Sequence, residues 1–236
     1  KFVIGDNMNS DITIILNGYK RPQNLKKQVD AALTQTVKVK DIFYWQNSMP
    51  NVNYDIQTST NYCISAYSSV NFGVWARFNY ALNARTNYIC ILDDDTIPGK
   101  KWLENCMNTM KTHEGLLGTV GLLYPVPLAP QNSSYYEHYL RFGWPETGNN
   151  DKTVQVDLVG HSWFFKKEWL SHMWREIPDP KYNTCGEDMH FSYMLQKYAG
   201  IKTYTPPHPE SDKDMWGSIK GSTYGGDKVS LWESNQ

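Results

Sequence analysis

The sequence predicts an α/β fold with a mixed, mostly parallel central sheet, and two observations carry this prediction. Apolar segments of strand length alternate with segments whose apolar residues recur at helical spacing. Alternation of this kind places successive strands side by side and parallel, joined by right-handed crossovers. The chain has 236 residues, which is enough for one such domain with a full core and short for two.

The first half of the chain is predicted to hold four strands and two helices. The strands are expected over 11–17, 41–46, 62–67 and 89–92, and the helices over 23–33 and 73–84. In the second helix Val74, Phe78, Ala81 and Leu82 are expected to point inward, whereas Arg77 is offset from that apolar stripe. The polar segment 49–61 is interpreted as a loop.

The second half has a less regular order. It is predicted to contain a helix over 100–112, an apolar stretch over 116–124, strands over 154–159 and 201–205, and an apolar patch at 163–165. A proline-punctuated polar region reaches from 125 to about 152, and it is either a sugar-binding wall or a packed flap. Its aromatic residues are Tyr135, Tyr136, Tyr139, Phe142 and Trp144.

A late helix is predicted over 187–198, with Phe191, Met194 and Leu195 as its buried stripe. The polar, glycine-rich tail from 210 to 236 is expected to be flexible and to order over a bound ligand. We therefore divide the chain into a first half over about 1–98, a second half over about 99–209, and this tail.

Composition narrows the function classes. The formal net charge of −1, with charges of both signs interspersed, makes nucleic acid a poor candidate partner. No apolar run has the length of a membrane span, and no signal-peptide pattern opens the chain. The four scattered cysteines fit reduced thiols in the cytoplasm, although a Cys106–Cys185 bridge stays open. Because the chain begins at Lys1, a secretory-pathway lumen is the alternative location.

Three consecutive carboxylates, Asp93, Asp94 and Asp95, follow the fourth strand directly, before Pro98. In open α/β sheets, ligands collect outside the carboxyl ends of the strands. Three acids there repel one another unless a cation lies among them, and Mg²⁺ or Mn²⁺ prefers oxygen ligands and bridges to phosphates. The residues thus favour a metal–diphosphate site over a solvated acidic turn.

A second acidic pair, Glu187 and Asp188, falls in the first turn of the late helix, where the helix dipole favours ionised carboxylates. Such a pair is either a capping feature or a catalytic one. His208, between Pro207 and Pro209, is either a ligand on a stiff loop or an exposed turn residue.

Four motifs together resemble the GT-A glycosyltransferases over roughly residues 12–208. They are LNGYKRP after the first strand, WQNS after the second, ILDDDTIP at the fourth, and CGED opening the late helix. Within that fold the chain is similar to two groups, the inverting family-2 transferases and the exostosin C-terminal catalytic domain. The segment WARFN before the acidic triplet points to the exostosins. The expected architecture is a single Rossmann-like α/β/α sandwich.

The resemblance implies that residues 1–98 form a nucleotide-sugar-binding half and residues 99–209 an acceptor-binding half. It also implies roles for the residues of the first half. The base and ribose would be bound by Asn17, Tyr19, Arg21 and Asn47, and Arg77 would face the diphosphate. The D-x-D pattern maps to Asp93 and Asp95. Asp93 and Asp94 would orient the ribose, while Asp95 would bind Mn²⁺ or Mg²⁺, with Asp93 as a second ligand. His208 matches, loosely, a histidine that some of these enzymes use as a further metal ligand.

For the second half, the resemblance implies catalysis by Asp188, with Glu187 beside it. In an inverting transfer, Asp188 would take the proton of the acceptor hydroxyl. In a retaining, exostosin-like enzyme it would orient substrates instead. Gly160, His161 and Trp163 would form the wall that contacts the acceptor or donor sugar. The implied donor is a nucleotide-diphosphate sugar, with UDP as the default carrier, and the acceptor is a glycan, a protein or a lipid-linked sugar.

Two other functions compete with glycosyl transfer. A sugar nucleotidyltransferase normally has a glycine-rich phosphate loop after its first strand, and the segment NGYKRP has one glycine. An inactive carbohydrate-binding relative would tolerate the loss of Asp95 or Asp188, and both are present. The sequence therefore favours a metal-dependent hexosyl- or N-acetylhexosaminyltransferase.

Overall fold

A computed structural model describes residues 11–48, 62–124, 139–144, 148–182 and 184–219. In chain order, the strands are β1 (Ile12–Gly18), β2 (Asp41–Gln46), β3 (Cys63–Tyr67), β4 (Tyr88–Leu92), β5 (Gly115–Leu117), β6 (Val120–Leu123), β7 (Leu140–Phe142), β8 (Val154–Val156), β9 (Leu158–Gly160), β10 (Ser162–Lys166) and β11 (Lys202–Thr205). The α-helices are α1 (Leu25–Leu33), α2 (Ala76–Ala81), α3 (Trp102–Thr112), α4 (Leu170–Met173) and α5 (Glu187–Ala199).

The strands form a large mixed sheet and a small one. The large sheet has the order β3-β2-β1-β4-β10-β5-β11-β8, and β1 to β4 are mutually parallel. The small sheet has the order β7-β6-β9. The α/β fold with a mixed, mostly parallel sheet is therefore confirmed, and its first four strands lie where the sequence predicts them.

Strand β10 is antiparallel to both of its neighbours, β4 and β5. Its first residue, Ser162, pairs with Leu92, the last residue of β4. The residues that precede β10 consequently lie beside the residues that follow β4. This pairing brings His161 to the acidic triplet, although the two are far apart in sequence.

Several predicted elements differ from the observed ones. The apolar stretch 116–124 is two strands, since β5 belongs to the large sheet and β6, after Gly118 and Thr119, to the small one. The predicted strand 154–159 is likewise split into β8 and β9. Leu82 is 50% exposed rather than inward, because α2 ends at Ala81. Tyr135 and Tyr136 lie outside the described residues, as does the loop over 49–61.

The core lies between the large sheet and its helices. The side chains of Ile14, Leu16 and Ile91 are at most 1% exposed, and the predicted α5 stripe of Phe191, Met194 and Leu195 is buried. All four cysteines, including Cys106 and Cys185, are free thiols in this structure. Among the described residues, no helix is long and apolar enough to cross a bilayer.

The start of the tail differs from its expected flexibility. Residues 210–219 pack against the domain, and the side chain of Trp216 is 2% exposed. The backbone N–H of Gly99 donates to the carbonyl oxygen of Trp216 at 2.9 Å. The rest of the predicted flexible tail, 220–236, lies outside the described residues.

Candidate active site

Most of the predicted site residues, with the exception of His208, lie at one edge of the large sheet. Strands β1, β2 and β4 are parallel, so Gly18, Asn47 and Asp93 follow or end neighbouring strands at the same edge. The backbone N–H of Asp93 donates to the carbonyl oxygen of His161 at 3.1 Å, which ties the turn before β10 to this edge. Because the chain passes to opposite sides of β1 at this point, the edge is a topological switch point, where α/β folds bind ligands.

Two buried arginines neutralise the acidic triplet. Arg21 Nη1 lies 2.7 Å from Asp94 Oδ1 and 3.5 Å from Asp95 Oδ2, and Arg77 Nη1 donates to Asp93 Oδ1. Burial raises the pKa of Asp94 to about 6, although the charge of Arg21 opposes this shift. The three acids are therefore not equivalent, since Asp94 is 9% exposed and engaged by Arg21.

Side-chain amides hold the backbone of the acidic turn from behind. Gln28 Nε2 donates to the carbonyl oxygens of Asp93, at 2.6 Å, and of Thr96, at 3.1 Å. Asn24 Nδ2 donates to the carbonyl oxygen of Asp94 at 2.9 Å. Sequence reasoning missed both residues. A polar residue at position 28, among the apolar positions of α1, was the available signal.

Arg77 is the hub of the site rather than an exposed cation. Its guanidinium donates to Asn17 Oδ1 at 2.8 Å and to Glu187 Oε1 at 2.6 Å, in addition to Asp93. It lies 4.7 Å from the ring centroid of Trp163. The arginine side chain is buried, and the nearby carboxylates raise its pKa despite the opposing effect of burial. Arg77 thus joins the acidic triplet to the start of α5.

Among the described residues, one cluster has the composition and spacing of a metal site. Ligand atoms of Asp93, Asp95 and His161 all lie within 4.8 Å of one another. Asp95 Oδ1 is buried and has no hydrogen-bond partner among the described residues. A bound cation would satisfy such an oxygen. The two carboxylates supply the oxygen ligands that Mn²⁺ and Mg²⁺ prefer, and the imidazole adds a nitrogen ligand of the kind that transition metals take. The residues present therefore fit a divalent metal.

His161 reaches this cluster through an unusual backbone conformation. Its φ is 63°, the left-handed region that a non-glycine residue seldom adopts. Its ring packs against Trp144, with 4.7 Å between the ring centroids, and its Nδ1 lies 3.9 Å from Asp95 Oδ1. Strained residues of this kind concentrate at functional sites. The resemblance assigned His161 to sugar contact, and the structure groups it with the acids.

The two carboxylates that open α5 have different surroundings. Glu187 is buried and paired with Arg77, and burial raises its pKa to about 8. Asp188 is half-buried, accepts the N–H of Met189 at 2.6 Å, and has a pKa that burial raises above its usual value. A Cβ on Gly160 would lie 3.7 Å from Asp188 Oδ2. Asp188 therefore faces a glycine that leaves space beside its carboxylate.

Two predicted site residues, Asn47 and Trp163, lie away from open space. Asn47 uses its side chain internally, since its Oδ1 accepts from Trp45 Nε1 at 2.9 Å and its Nδ2 donates to Gly73 O at 3.1 Å. Trp163 is 1% exposed and packs edge-on against Phe78. Tyr19, in contrast, is half-buried beside the side chain of Lys20.

The structure does not bring His208 to the acidic cluster. Its Nδ1 donates to the carbonyl oxygen of Pro206 at 2.8 Å, and its Nε2 accepts the N–H of Gly217 at 3.1 Å. Its ring packs against Trp102, and its side chain is 1% exposed. Both nitrogens that a metal would use are thus engaged by the protein, and we do not propose His208 as a ligand.

Comparison with known proteins places this site in a family. A model of glycosyl transferase family 2 matches residues 13–174, which is more than half of the chain. The chain belongs to glycosyl transferase family 2. The match confirms the family-2 and GT-A part of the resemblance, whereas the exostosin part is not shown. No curated protein sequence matches this family-2 chain.

Solved structures share the fold of this family-2 protein at low sequence identity. A crystal structure of S. aureus TarS 1-349 has a TM-score of 0.56 at 13% identity, covering 85% of this chain and 61% of that one. TarS 1-349 in complex with UDP has a TM-score of 0.57 at 11% identity, covering 84% and 58%. The mannosyltransferase PcManGT from Pyrobaculum calidifontis, in complex with GDP-Man and Mn²⁺, has a TM-score of 0.55 at 17% identity, covering 86% and 58%. The chain thus spans about 60% of these neighbours' length.

Proposed function

We propose that this protein transfers a sugar from a nucleotide-diphosphate sugar to an acceptor hydroxyl, in a reaction that depends on Mn²⁺ or Mg²⁺. The observation that carries the proposal is the meeting of two acidic groups at the switch point of the sheet. One group is the cluster of Asp93, Asp95 and His161, and the other is Asp188 beside Gly160. Membership of glycosyl transferase family 2 supports the same reaction class.

In this proposal the donor lies across the switch point. Asp93, Asp95 and His161 would hold the metal, which would supply a Lewis acid to offset negative charge on the departing nucleoside diphosphate. Asn17, Tyr19, Arg21 and Asp94 belong to the wall for base and ribose that the family resemblance implies. Asn47, which the resemblance also assigns to this wall, has its side chain engaged internally, and we do not propose it as a contact. Arg77 is too buried in this structure to meet a phosphate directly, so we assign it to the positioning of Asp93 and Glu187.

We propose UDP as the nucleotide of the donor. Structural neighbours have been crystallised with UDP, with UDP-GlcNAc and with GDP-Man, so the neighbours support a nucleotide-sugar donor and leave the base to experiment. Which sugar is moved is a question for the donor panel below. The proposed acceptor is a hydroxyl of a glycan, a protein or a lipid-linked sugar.

Asp188 is the proposed general base of an inverting transfer. Burial raises its pKa, which makes its carboxylate a better proton acceptor than an exposed aspartate. The space beside Gly160 would give an acceptor hydroxyl access to Asp188 Oδ2. When the hydroxyl oxygen attacks the anomeric carbon, its proton passes to Asp188 as the bond to the nucleoside diphosphate breaks. The retaining alternative, in which Asp188 orients substrates, predicts the opposite anomeric configuration of the product.

The test is release of nucleoside diphosphate from a panel of UDP-, GDP- and other nucleotide-sugars, with and without Mn²⁺. We expect release from one donor, dependent on the metal and lost in Asp95→Ala. A matched control is Asp30→Ala, which removes an exposed carboxylate in an ion pair with Lys26 on the surface of α1. A strong signal that is indifferent both to metal and to Asp95→Ala would overturn the metal assignment.

A further inference from the structure

Residues 206–219 lie against the loop that follows the acidic triplet, and we call this segment the clasp. The backbone N–H of Ile219 donates to Ile97 O at 2.9 Å, Gly99 N–H donates to Trp216 O at 2.9 Å, and Lys101 N–H donates to Asp214 O at 2.8 Å. These bonds run in antiparallel order along 97–101, which begins two residues after Asp95.

The contact between clasp and loop is too close for a side chain. A Cβ on Gly99 would lie 2.4 Å from Asp214 O, so this position requires glycine. Asn105 on α3 adds two bonds from below, because its Nδ2 donates to Pro207 O at 2.7 Å and to Met215 O at 2.9 Å. The clasp is therefore built into the domain rather than resting on its surface.

His208 links the two ends of the clasp through its ring nitrogens. Its Nδ1–H donates to Pro206 O and its Nε2 accepts the N–H of Gly217, so one ring joins the two ends of the segment. These partners assign the neutral tautomer with the proton on Nδ1. Burial lowers the pKa of His208 to about 4, which keeps Nε2 available as an acceptor at neutral pH. The ring is 1% exposed and lies against Trp102, with 5.4 Å between the ring centroids.

The clasp also reaches the other flank of the acidic cluster. A Cβ on Gly217 would lie 2.0 Å from Thr119 Oγ1, and this hydroxyl is 2.7 Å from Ser162 Oγ. Ser162 follows His161 directly. One segment therefore contacts the loop after Asp95 on one side and, through Thr119, the strand start after His161 on the other.

We propose that His208 is a positioning residue for the metal site, acting through the clasp rather than as a ligand. By holding Gly217 and Pro206 together, it keeps Asp214, Trp216 and Ile219 paired with 97–101. This pairing fixes the spacing between Asp95 and His161. The inference rests on the proposed function for its metal, and the pairing itself is independent of that function.

The first measurement is amide hydrogen exchange of the intact protein, comparing wild type with His208→Ala. Loss of the acceptor for the buried Gly217 N–H should open the clasp, and the amides of Gly99, Lys101 and Ile219 should exchange about tenfold faster or more. Amides in the middle of β1 should be unchanged. Unchanged exchange at Gly99 and Lys101 would overturn the role of His208 in the clasp.

The second measurement is Mn²⁺ affinity, read from the electron paramagnetic resonance signal of free Mn²⁺ with UDP present. In His208→Ala we expect the dissociation constant to rise about tenfold. His208→Gln, whose Oε1 can still accept from Gly217 N–H, should fall between wild type and alanine in both measurements. If His208 were a ligand, exchange at 97–101 would be normal while Mn²⁺ affinity fell, and this outcome would overturn the proposal.

The matched control is Lys100→Ala, which removes a 3.0 Å ion pair with Asp214 at the exposed surface of the same clasp. Exposed pairs contribute little, so this variant should match wild type in both measurements. Faster exchange in His208→Ala with unchanged Mn²⁺ affinity would contradict the positioning role. Wild-type protein that binds Mn²⁺ normally but transfers no sugar would count against the proposed function alone.

Discussion

The acidic turn after β4 is held by several elements, whereas the first turn of α5 is tied to the site by one arginine. Within the described part of the chain, Gln28, Asn24 and Arg21 all bind the turn, and His161 accepts the N–H of Asp93. Glu187 is joined to the same site by Arg77. The difference indicates that the acidic turn is preorganised, while the link between this turn and the start of α5 depends on Arg77.

Adjacent carboxylates in α5 also differ from one another. Glu187 is buried and serves as the anchor of the helix start, whereas Asp188 is half-buried and faces Gly160. Successive residues of an α-helix are rotated by about 100° around its axis, so one residue of a pair can face inward while the next faces the site. The two acidic residues of the GED motif, Glu187 and Asp188, therefore have separate roles.

The largest expected effect is that of Arg77→Met. The substitution removes the cation that pairs with Asp93 and the donor that serves the buried Glu187, and breaking a buried pair in this way costs about 3–5 kcal/mol. We expect the free energy of unfolding, from urea titration, to fall by that amount. Lys26→Met is the control, because Lys26 pairs with Asp30 at an exposed helix surface and should change stability by about 0.5 kcal/mol or less. Equal losses of unfolding free energy in the two variants would contradict the central role of Arg77 in the site.

The pH dependence of stability tests the role of Glu187 as a buried acid at the start of α5. The pKa of Glu187 is raised from 4.5 to about 8, so between these values the folded protein keeps a proton that the unfolded chain has lost. The free energy of unfolding should therefore fall as pH rises through this window. Glu187→Gln removes the titrating group and should flatten that fall, measured by urea titration at several pH values. A variant with the same slope as wild type would show that Glu187 is not the buried acid described here.

A smaller effect is expected for Gln28→Leu, which tests the support of the acidic turn. The carbonyl oxygens of Asp93 and Thr96 lose a buried donor, and this costs about 1–3 kcal/mol. Mn²⁺ affinity should fall as well, because the turn is less constrained. Gln196→Leu, which removes an amide bonded to Asp157 O at 2.8 Å on the far part of α5, should leave Mn²⁺ affinity unchanged. Equal Mn²⁺ affinity in wild type and Gln28→Leu would contradict preorganisation by α1.

The parallel half of the fold was predictable because its signals are local. Strands β1 to β4 are short apolar runs that end at polar residues, and the Asp93–Asp95 triplet follows one of them directly. Parallel order then places the ends of β1, β2 and β4 together without further information. The metal hypothesis at Asp93 and Asp95 needed no more than this.

The other half was less predictable because its contacts depend on long-range pairing. Nothing near His161 in the sequence shows that β10 inserts antiparallel beside β4, which is what brings His161 to Asp95. His208 appeared suited to a metal on its proline-flanked loop, yet its two nitrogens are engaged by Pro206 and Gly217. Burial and partners of this kind are set by tertiary packing, which local patterns do not encode.

The most direct test of the account separates binding from transfer in Asp95→Asn and Asp188→Asn. UDP affinity in the presence of Mn²⁺ would be measured by isothermal titration calorimetry, and transfer by product formation with the donor found in the panel. We predict that Asp95→Asn loses metal-dependent UDP affinity, whereas Asp188→Asn keeps UDP affinity and loses about 10²–10⁴-fold in transfer rate. Collapse of UDP affinity in Asp188→Asn, or normal transfer by it, would contradict the assignment of Asp188 as the base.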